Sequence, residues 1–318
     1  MSGKNLRVWG GLLVVLSLFV GGALFFQPKG PKPVRIGSKA FTEGVLLGDV
    51  LRLLVESEGV PCEHKEQMGG TRIVWGALEA GEIDAYVEYT GTLQREILAA
   101  DGRRSLAQIR KTLEDRGIRM GPTLGFNNTY DLGMKKERAE ALGIRTISDL
   151  REHPNLSLVF SHEFMDRDDG WPGLKRRYSL PQAARGIDHD LAYRAVASGE
   201  ADVLAVYSTD AKIPMHGHGT REDDLGYFPS YEALVLYRIE LETTQPDVVA
   251  AFELLRDQID EMRMAGLNAE VEIDERPELS VAASFLEEDL GLYVAAEVET
   301  SWQRILRMTK EHVLLVVV

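Results

Sequence analysis

Tyr89, Tyr130, Tyr207 and Tyr231 each fall in a short segment that reads as a strand end or a cleft loop, and Lys39 and Arg167 fall in segments of the same kind. Brought together, these residues would make a box for a small betaine. A trimethylammonium head has no N–H to donate, so a protein holds it through aromatic faces and cation–π attraction. The carboxylate tail needs the opposite chemistry, which a lysine point charge and a planar guanidinium fork supply. A site uniting several tyrosines with both cations therefore selects a zwitterion with a quaternary nitrogen.

Other candidate chemistry is weaker. His216-Gly217-His218 lacks a nearby third ligand and reads as an exposed loop, so no metal is expected. Gly69-Gly70-Thr71 opens a helix but lacks the longer phosphate-binding pattern, and no G-x-S-x-G elbow is present. Cys62, the single cysteine, rules out an intrachain disulfide and reads as a small buried hydrophobe in a strand from Val60 to Glu66. With no paired nucleophile and base, the chain is not expected to be an enzyme, and no cofactor is called for.

These residues need a scaffold, and the 318-residue chain has material for one. With 44% hydrophobic and 27% charged residues it can fill two packed lobes. Its net charge of −14 argues against nucleic acid, which demands clustered Lys and Arg. From Val34 onward, apolar strand-like runs alternate with helical patterns, the signature of parallel sheets flanked by helices. Strands are expected at Val34–Gly37, Cys62–Gln67, Ala85–Val87, Ser157–Phe160, Asp202–Val206 and Glu232–Tyr237. Helices are expected from Thr42 towards Gly59, from Thr71 to Ala80, and at Lys136–Leu142, Leu191–Ser198, Asp247–Met264 and Ser280–Leu290. A crossing near Leu124 and a return near Tyr231 would divide the chain into a discontinuous first lobe, 34–124 with 232–300, and a second lobe, 125–231. Two linking strands would then form a hinge over a cleft.

The ends read differently. Lys4 and Arg7 precede an uncharged run from Val8 to Phe26, which as a helix would span about 28 Å, close to the hydrocarbon thickness. Residues 1–33 are thus a signal peptide or an anchor plus a stiff Pro-rich linker, and the basic flank places the rest outside the cytoplasm. Without a small-residue cleavage pair or a lipid-accepting cysteine, an uncleaved anchor is favoured. Residues 301–318 close on Val313-Leu314-Leu315-Val316-Val317-Val318, either a terminal strand or the start of a longer membrane helix.

Several separated motifs, in order, carry a family resemblance. Gly37-Ser38-Lys39-Ala40-Phe41-Thr42-Glu43, Gly69-Gly70-Thr71, Val87-Glu88-Tyr89-Thr90-Gly91-Thr92, Phe126 to Tyr130, Glu163 to Arg167, Tyr207-Ser208-Thr209-Asp210 and Pro229-Ser230-Tyr231 resemble the osmoprotectant-binding proteins of glycine betaine and choline ABC importers. The resemblance implies an α/β, two-lobed periplasmic binding protein of type II-like architecture with the ligand in the interlobe cleft. Its implied partners are a permease, possibly fused downstream of the amphipathic stretch near Gln303, and a cytoplasmic ATPase. It implies further that Tyr89, Tyr130, Tyr207 and Tyr231 form an aromatic cage, that Lys39, Thr92 and Arg167 hold the carboxylate, and that Glu163 orders the second lobe's side. The chain departs from the family at Asn127-Asn128-Thr129, where acidic residues are common. Carnitine, ergothioneine and choline are the alternative ligands, and a membrane-anchored solute sensor is the alternative class. Arg167 buried without a partner in a closed cleft would disfavour choline, which has no carboxylate.

Overall fold

The computed structural model describes residues 32–98 and 105–294. The strands are β1 (Val34–Gly37), β2 (Cys62–Lys65), β3 (Ala85–Tyr89), β4 (Ile118–Asn127), β5 (Tyr130–Lys135), β6 (Leu158–Ser161), β7 (Ala184–Ile187), β8 (Val203–Tyr207), β9 (His218–Arg221) and β10 (Glu232–Arg238). They form two five-stranded sheets, ordered β2-β1-β3-β10-β4 and β7-β6-β8-β5-β9. In the first, β1 runs parallel to β2 and β3, and β10 runs antiparallel to β3 and β4. The second repeats the plan, with β6 parallel to β7 and β8, and β5 antiparallel to β8 and β9. Each sheet is the centre of one lobe.

The alternation of side chains along a strand explains the layering. Ala85, Val87 and Tyr89 of β3 join one core cluster and Tyr86 joins another, so that β3 is buried on both faces. On the first face packs the helix Thr42–Ser57, whose Leu46, Leu47, Val50, Leu51, Leu53 and Leu54 are almost fully buried. On the second lie Val74, Trp75 and Leu78 of the helix Thr71–Glu79. In the other lobe Val159, Leu204 and Val206 meet Tyr193 and Val196 of the helix His189–Ser198. Cys62 is half-buried in β2, where burial first, and then the Glu56 carboxylate, push its thiol up to about 12. It is a packing residue.

One expected element differs. The helix anticipated over Asp247–Met264 is two helices, Pro246–Glu253 and Glu261–Glu272. Between them the chain leaves the helical path at Asp257, which has φ 54°, and lies against β4: Asp257 N donates to Thr123 O and Ile259 N to Leu124 O, both at 2.9 Å. Asp260 then caps the second helix by accepting from Arg263 N at 2.7 Å. These bonds satisfy one edge of β4, a tertiary demand that helical periodicity cannot reveal. Gly125, at φ 111°, is needed there, because a Cβ would stand 2.9 Å from Ile259 O.

The crossing segments lie side by side. β4 runs past Leu124 to Asn127, after which Asn128 N donates to Tyr231 O at 3.0 Å and Tyr231 N donates to Asn127 Oδ1 at 2.6 Å. Among the described residues no helix is long and apolar enough to cross a membrane. The Val8–Phe26 run and residues 301–318, on which the anchoring expectations fall, lie outside the described residues.

Candidate functional site

The parallel strands of both sheets end at one cleft, and their carboxyl ends supply its side chains, the usual placement of ligand sites in α/β sheets. Lys39 follows β1 and Tyr89 ends β3; Thr92 lies in the turn after Tyr89. From the second sheet come Glu163 and Arg167, at the short helix His162–Asp166 after β6, and Tyr207, which ends β8. Tyr130 opens β5, and Tyr231 directly precedes β10. All eight residues singled out in the sequence line one narrow pocket in the cleft, together with Phe41 and Asn128.

Tyr130 is the hub of the aromatic walls. Its ring centroid lies 5.1 Å from Tyr207 and 5.5 Å from Tyr231, the latter edge-on. Phe41 stacks on Tyr207 at 5.8 Å and 24°. Tyr89 is anchored through its hydroxyl, which donates to Glu43 Oε1 at 2.6 Å, and the Tyr231 hydroxyl donates to Asp169 Oδ2 at 2.8 Å. Burial, the largest influence, raises all four phenols well above their ordinary range, so the rings are neutral. Gly91 makes room for one of them, since a Cβ there would come within 2.5 Å of the Tyr231 ring.

Both cations are already paired, which corrects the expectation that Arg167 is buried without a partner. Its Nε donates to Asp169 Oδ1 at 2.7 Å and its Nη2 to Asp169 Oδ2 at 2.6 Å, a bidentate fork between two nearly inaccessible side chains. Longer bonds of 3.3 Å run from Nη1 to Glu163 Oε1 and Thr71 Oγ1 and from Nη2 to Thr92 Oγ1. Lys39 Nζ donates to Glu88 Oε1 at 2.6 Å. Each cation also sits over a cage ring: Lys39 Nζ lies 5.3 Å from the Tyr89 centroid, and the Arg167 guanidinium carbon 5.5 Å from that of Tyr130. Lys39 keeps donors beyond its Glu88 bond, whereas Arg167 commits all three of its nitrogens to Asp169, Glu163, Thr71 and Thr92. A ligand carboxylate is therefore more readily met by Lys39.

Phe41, Glu88, Asn128 and Asp169 complete the site and were not singled out from sequence. Glu88 adjoins Tyr89 and Asp169 follows Arg167 by two residues, so proximity in the chain was the available signal. Phe41 lies within the Lys39 motif. Of the remaining six tyrosines, Tyr86, Tyr178, Tyr193 and Tyr237 are buried away from this cavity, Tyr227 is half-buried and donates to Asp168 O at 3.1 Å, and Tyr293 is exposed. His218 is buried, and burial lowers it to about 4, with His216 adding to the shift.

Glu163 bridges the lobes, accepting from Thr71 Oγ1 at 2.7 Å as well as from Arg167. Burial pushes its carboxyl up, but the Lys39 and Arg167 charges and the Thr71 bonds outweigh burial and hold it below the ordinary 4.5. A depressed carboxylate contributes stability that is full above the unfolded value and lost as pH falls through the folded one. The stability difference between the parent protein and Glu163→Gln is therefore expected to be constant above about pH 4.5 and to shrink below it. Paired thermal melts across that range check this; a gap unchanged well below pH 4 would count against it.

Comparison with known proteins places this geometry in a family. Residues 32–288 match the substrate binding domain of ABC-type glycine betaine transport systems. The ergothioneine transport permease/ergothioneine binding protein EgtU of Helicobacter pylori (strain G27) is 33% identical over 295 residues, which is 90% of this chain and 53% of that protein. The chain thus spans about half the length of that relative. A glycine-betaine-binding protein of Pseudomonas aeruginosa is 30% identical, covering 80% of this chain and 87% of the relative. A crystal structure of a glycine betaine/carnitine/choline ABC transporter superposes with a TM-score of 0.65 at 26% identity, over 80% of this chain and 98% of the other. On the match to the family model, together with the two-lobed fold, the chain belongs to the substrate-binding domains of ABC-type glycine betaine transport systems.

Proposed function

We propose that this chain captures a betaine in the cage of Tyr89, Tyr130, Tyr207 and Tyr231 and delivers it to an importer, with glycine betaine or a close relative as the ligand. The observation that carries the reading is the convergence of these rings with Lys39, Thr92, Glu163 and Arg167 on one pocket in the cleft. The lobes divide at the paired segments around 124–128 and 228–231. Lys39, with donors to spare, receives the carboxylate, with Thr92 beside it. Choline is disfavoured because it offers Lys39 no anion, and no longer because of a bare Arg167. Calorimetric titration with glycine betaine and choline tests this: the betaine is expected to bind at least tenfold tighter, about 1.4 kcal/mol. Equal or tighter choline binding would overturn the carboxylate assignment.

A second reading concerns the size of the ligand. Beside the cage, and sharing Phe41, Asn128 and Tyr207 with it, lies a cavity that also touches Asn268 and Asp210. Glu43 fixes the amide nitrogens of Asn128 and Asn268, and their buried Oδ1 atoms have no hydrogen-bond partner among the described residues. Two free carbonyl acceptors favour a betaine whose side chain carries N–H groups, such as ergothioneine, a histidine betaine. Tighter binding of ergothioneine than of glycine betaine supports this variant, and the reverse order supports the simpler ligand.

The importer partners, a permease and an ATPase, follow from the family. The tethered arrangement is our further reading: Lys4 and Arg7 hold the N-terminus inside, the lobes lie outside, and Val313–Val318 begins a return crossing. Fractionation of the native protein tests it, a freely soluble product with a processed N-terminus being the contrary result.

A further inference from the structure

Glu43, in the first turn of the helix Thr42–Ser57, does not line the cage cavity and pairs with no cation among the described residues. It is nevertheless a carboxylate only 2% exposed. Its two oxygens accept four hydrogen bonds. Tyr89 Oη at 2.6 Å and Asn128 Nδ2 at 2.7 Å donate to Oε1; Thr209 Oγ1 at 2.7 Å and Asn268 Nδ2 at 3.0 Å donate to Oε2. Asn268 Nδ2 also donates to the Thr209 backbone oxygen at 3.1 Å.

The origin of these donors is informative. Tyr89 ends β3 of the first sheet, and Asn268 belongs to the helix Glu261–Glu272, which packs on the first lobe. Asn128 is in the crossing segment. Thr209 follows β8 and belongs to the second lobe. One carboxylate thus ties together both lobes, the hinge and a cage tyrosine.

We infer that Glu43 is an interlobe latch: when the cleft closes, Thr209 docks on a carboxylate that Tyr89 and Asn268 already hold, and the same carboxylate fixes the Tyr89 ring in the cage wall. Glu43 is a positioning residue, acting on the ligand through Tyr89, through Asn128 and through closure; the inference rests on the cage being the ligand site. The physical basis is the cost of sequestering a carboxylate without a counter-ion, which the four hydrogen bonds offset only in part, since burial still holds the Glu43 carboxyl above its ordinary 4.5. Opening the cleft withdraws the Thr209 hydroxyl from Glu43 and its backbone oxygen from Asn268, and readmits water. Latch strength should therefore govern how long a bound ligand is retained, while encounter with the open cleft is unaffected.

The test is a double-mutant cycle of Thr209→Val and Glu43→Gln in the full chain, with Thr209→Ser as the conservative control. Stopped-flow fluorescence with glycine betaine should show Thr209→Val dissociating about tenfold faster, with association within about twofold of the parent. Thr209→Ser, which keeps the hydroxyl, should stay near the parent. In the Glu43→Gln background, Thr209→Val should add much less than its single effect. A Thr209→Val off-rate within about twofold of the parent, or additive single effects, would overturn the latch. A ligand-independent arm separates failure of the latch from failure of the betaine reading. Small-angle scattering of the unliganded proteins should show a larger radius of gyration for Thr209→Val than for the parent, and identical curves would count against the latch even if no betaine bound.

Discussion

Arg167→Met is expected to lower ligand affinity by a hundredfold or more and to depress the melting temperature by several degrees. Methionine fills much of the same space, so packing is not the main loss. What is lost is the counter-ion of Asp169, itself 4% exposed and held by both forks of the guanidinium. Removing one member of a buried pair costs about 3–5 kcal/mol, because the charge left behind has neither water nor a partner. The Tyr231 hydroxyl would still donate to Asp169, but one neutral donor does not replace a guanidinium. The Arg167 contacts to Thr71 and Thr92 of the first lobe would vanish as well, loosening closure. Thermal melts and calorimetry on Arg167→Met and on the double variant with Asp169→Asn check this. The double variant should recover part of the stability, and a single variant as stable as the parent would show that the pair is inessential.

Tyr207→Ala should weaken ligand binding by tenfold or more. The ring lies between Phe41 at 5.8 Å and Tyr130 at 5.1 Å, so its loss opens the cage on the side of the adjoining cavity. A desolvated cation–π contact contributes roughly 2 kcal/mol, and the widened box holds the methyl groups less closely. Among the tyrosines outside the cage, Tyr178 is a poor control, because it is fully buried, donates to Asp223 and accepts from Leu225 N. Truncating it would cost about 3–5 kcal/mol of stability. Tyr293, at 85% exposure, is the suitable control. Calorimetry that finds Tyr207→Ala within twofold of the parent would remove Tyr207 from the cage.

The contrast between Tyr207 and Tyr178 shows what the sequence carries and what it does not. Strand ends were legible because apolar runs stop where the chain turns into a loop, so Lys39, Tyr89 and Tyr207 could be placed at a cleft before any fold was seen. The family motifs added Thr92 and Glu163. Partners were not legible: Glu88 meets Lys39 across 49 positions, and Asn268 meets Glu43 across 225. Residue type says that an acid or amide is available, and only the fold says which charge it faces. The break at Asp257 has a similar origin, since its driving force is the open edge of β4 far away in the chain.

The tyrosine cage is expected to select positive charge and not merely shape. Calorimetric titration with glycine betaine and with 3,3-dimethylbutanoate, its isostere with carbon in place of the quaternary nitrogen, separates the two. Both ligands carry the same carboxylate and the same three methyl groups. Cation–π attraction predicts that the betaine binds at least tenfold tighter, about 1.4 kcal/mol or more. Equal affinity for the uncharged head would contradict the account.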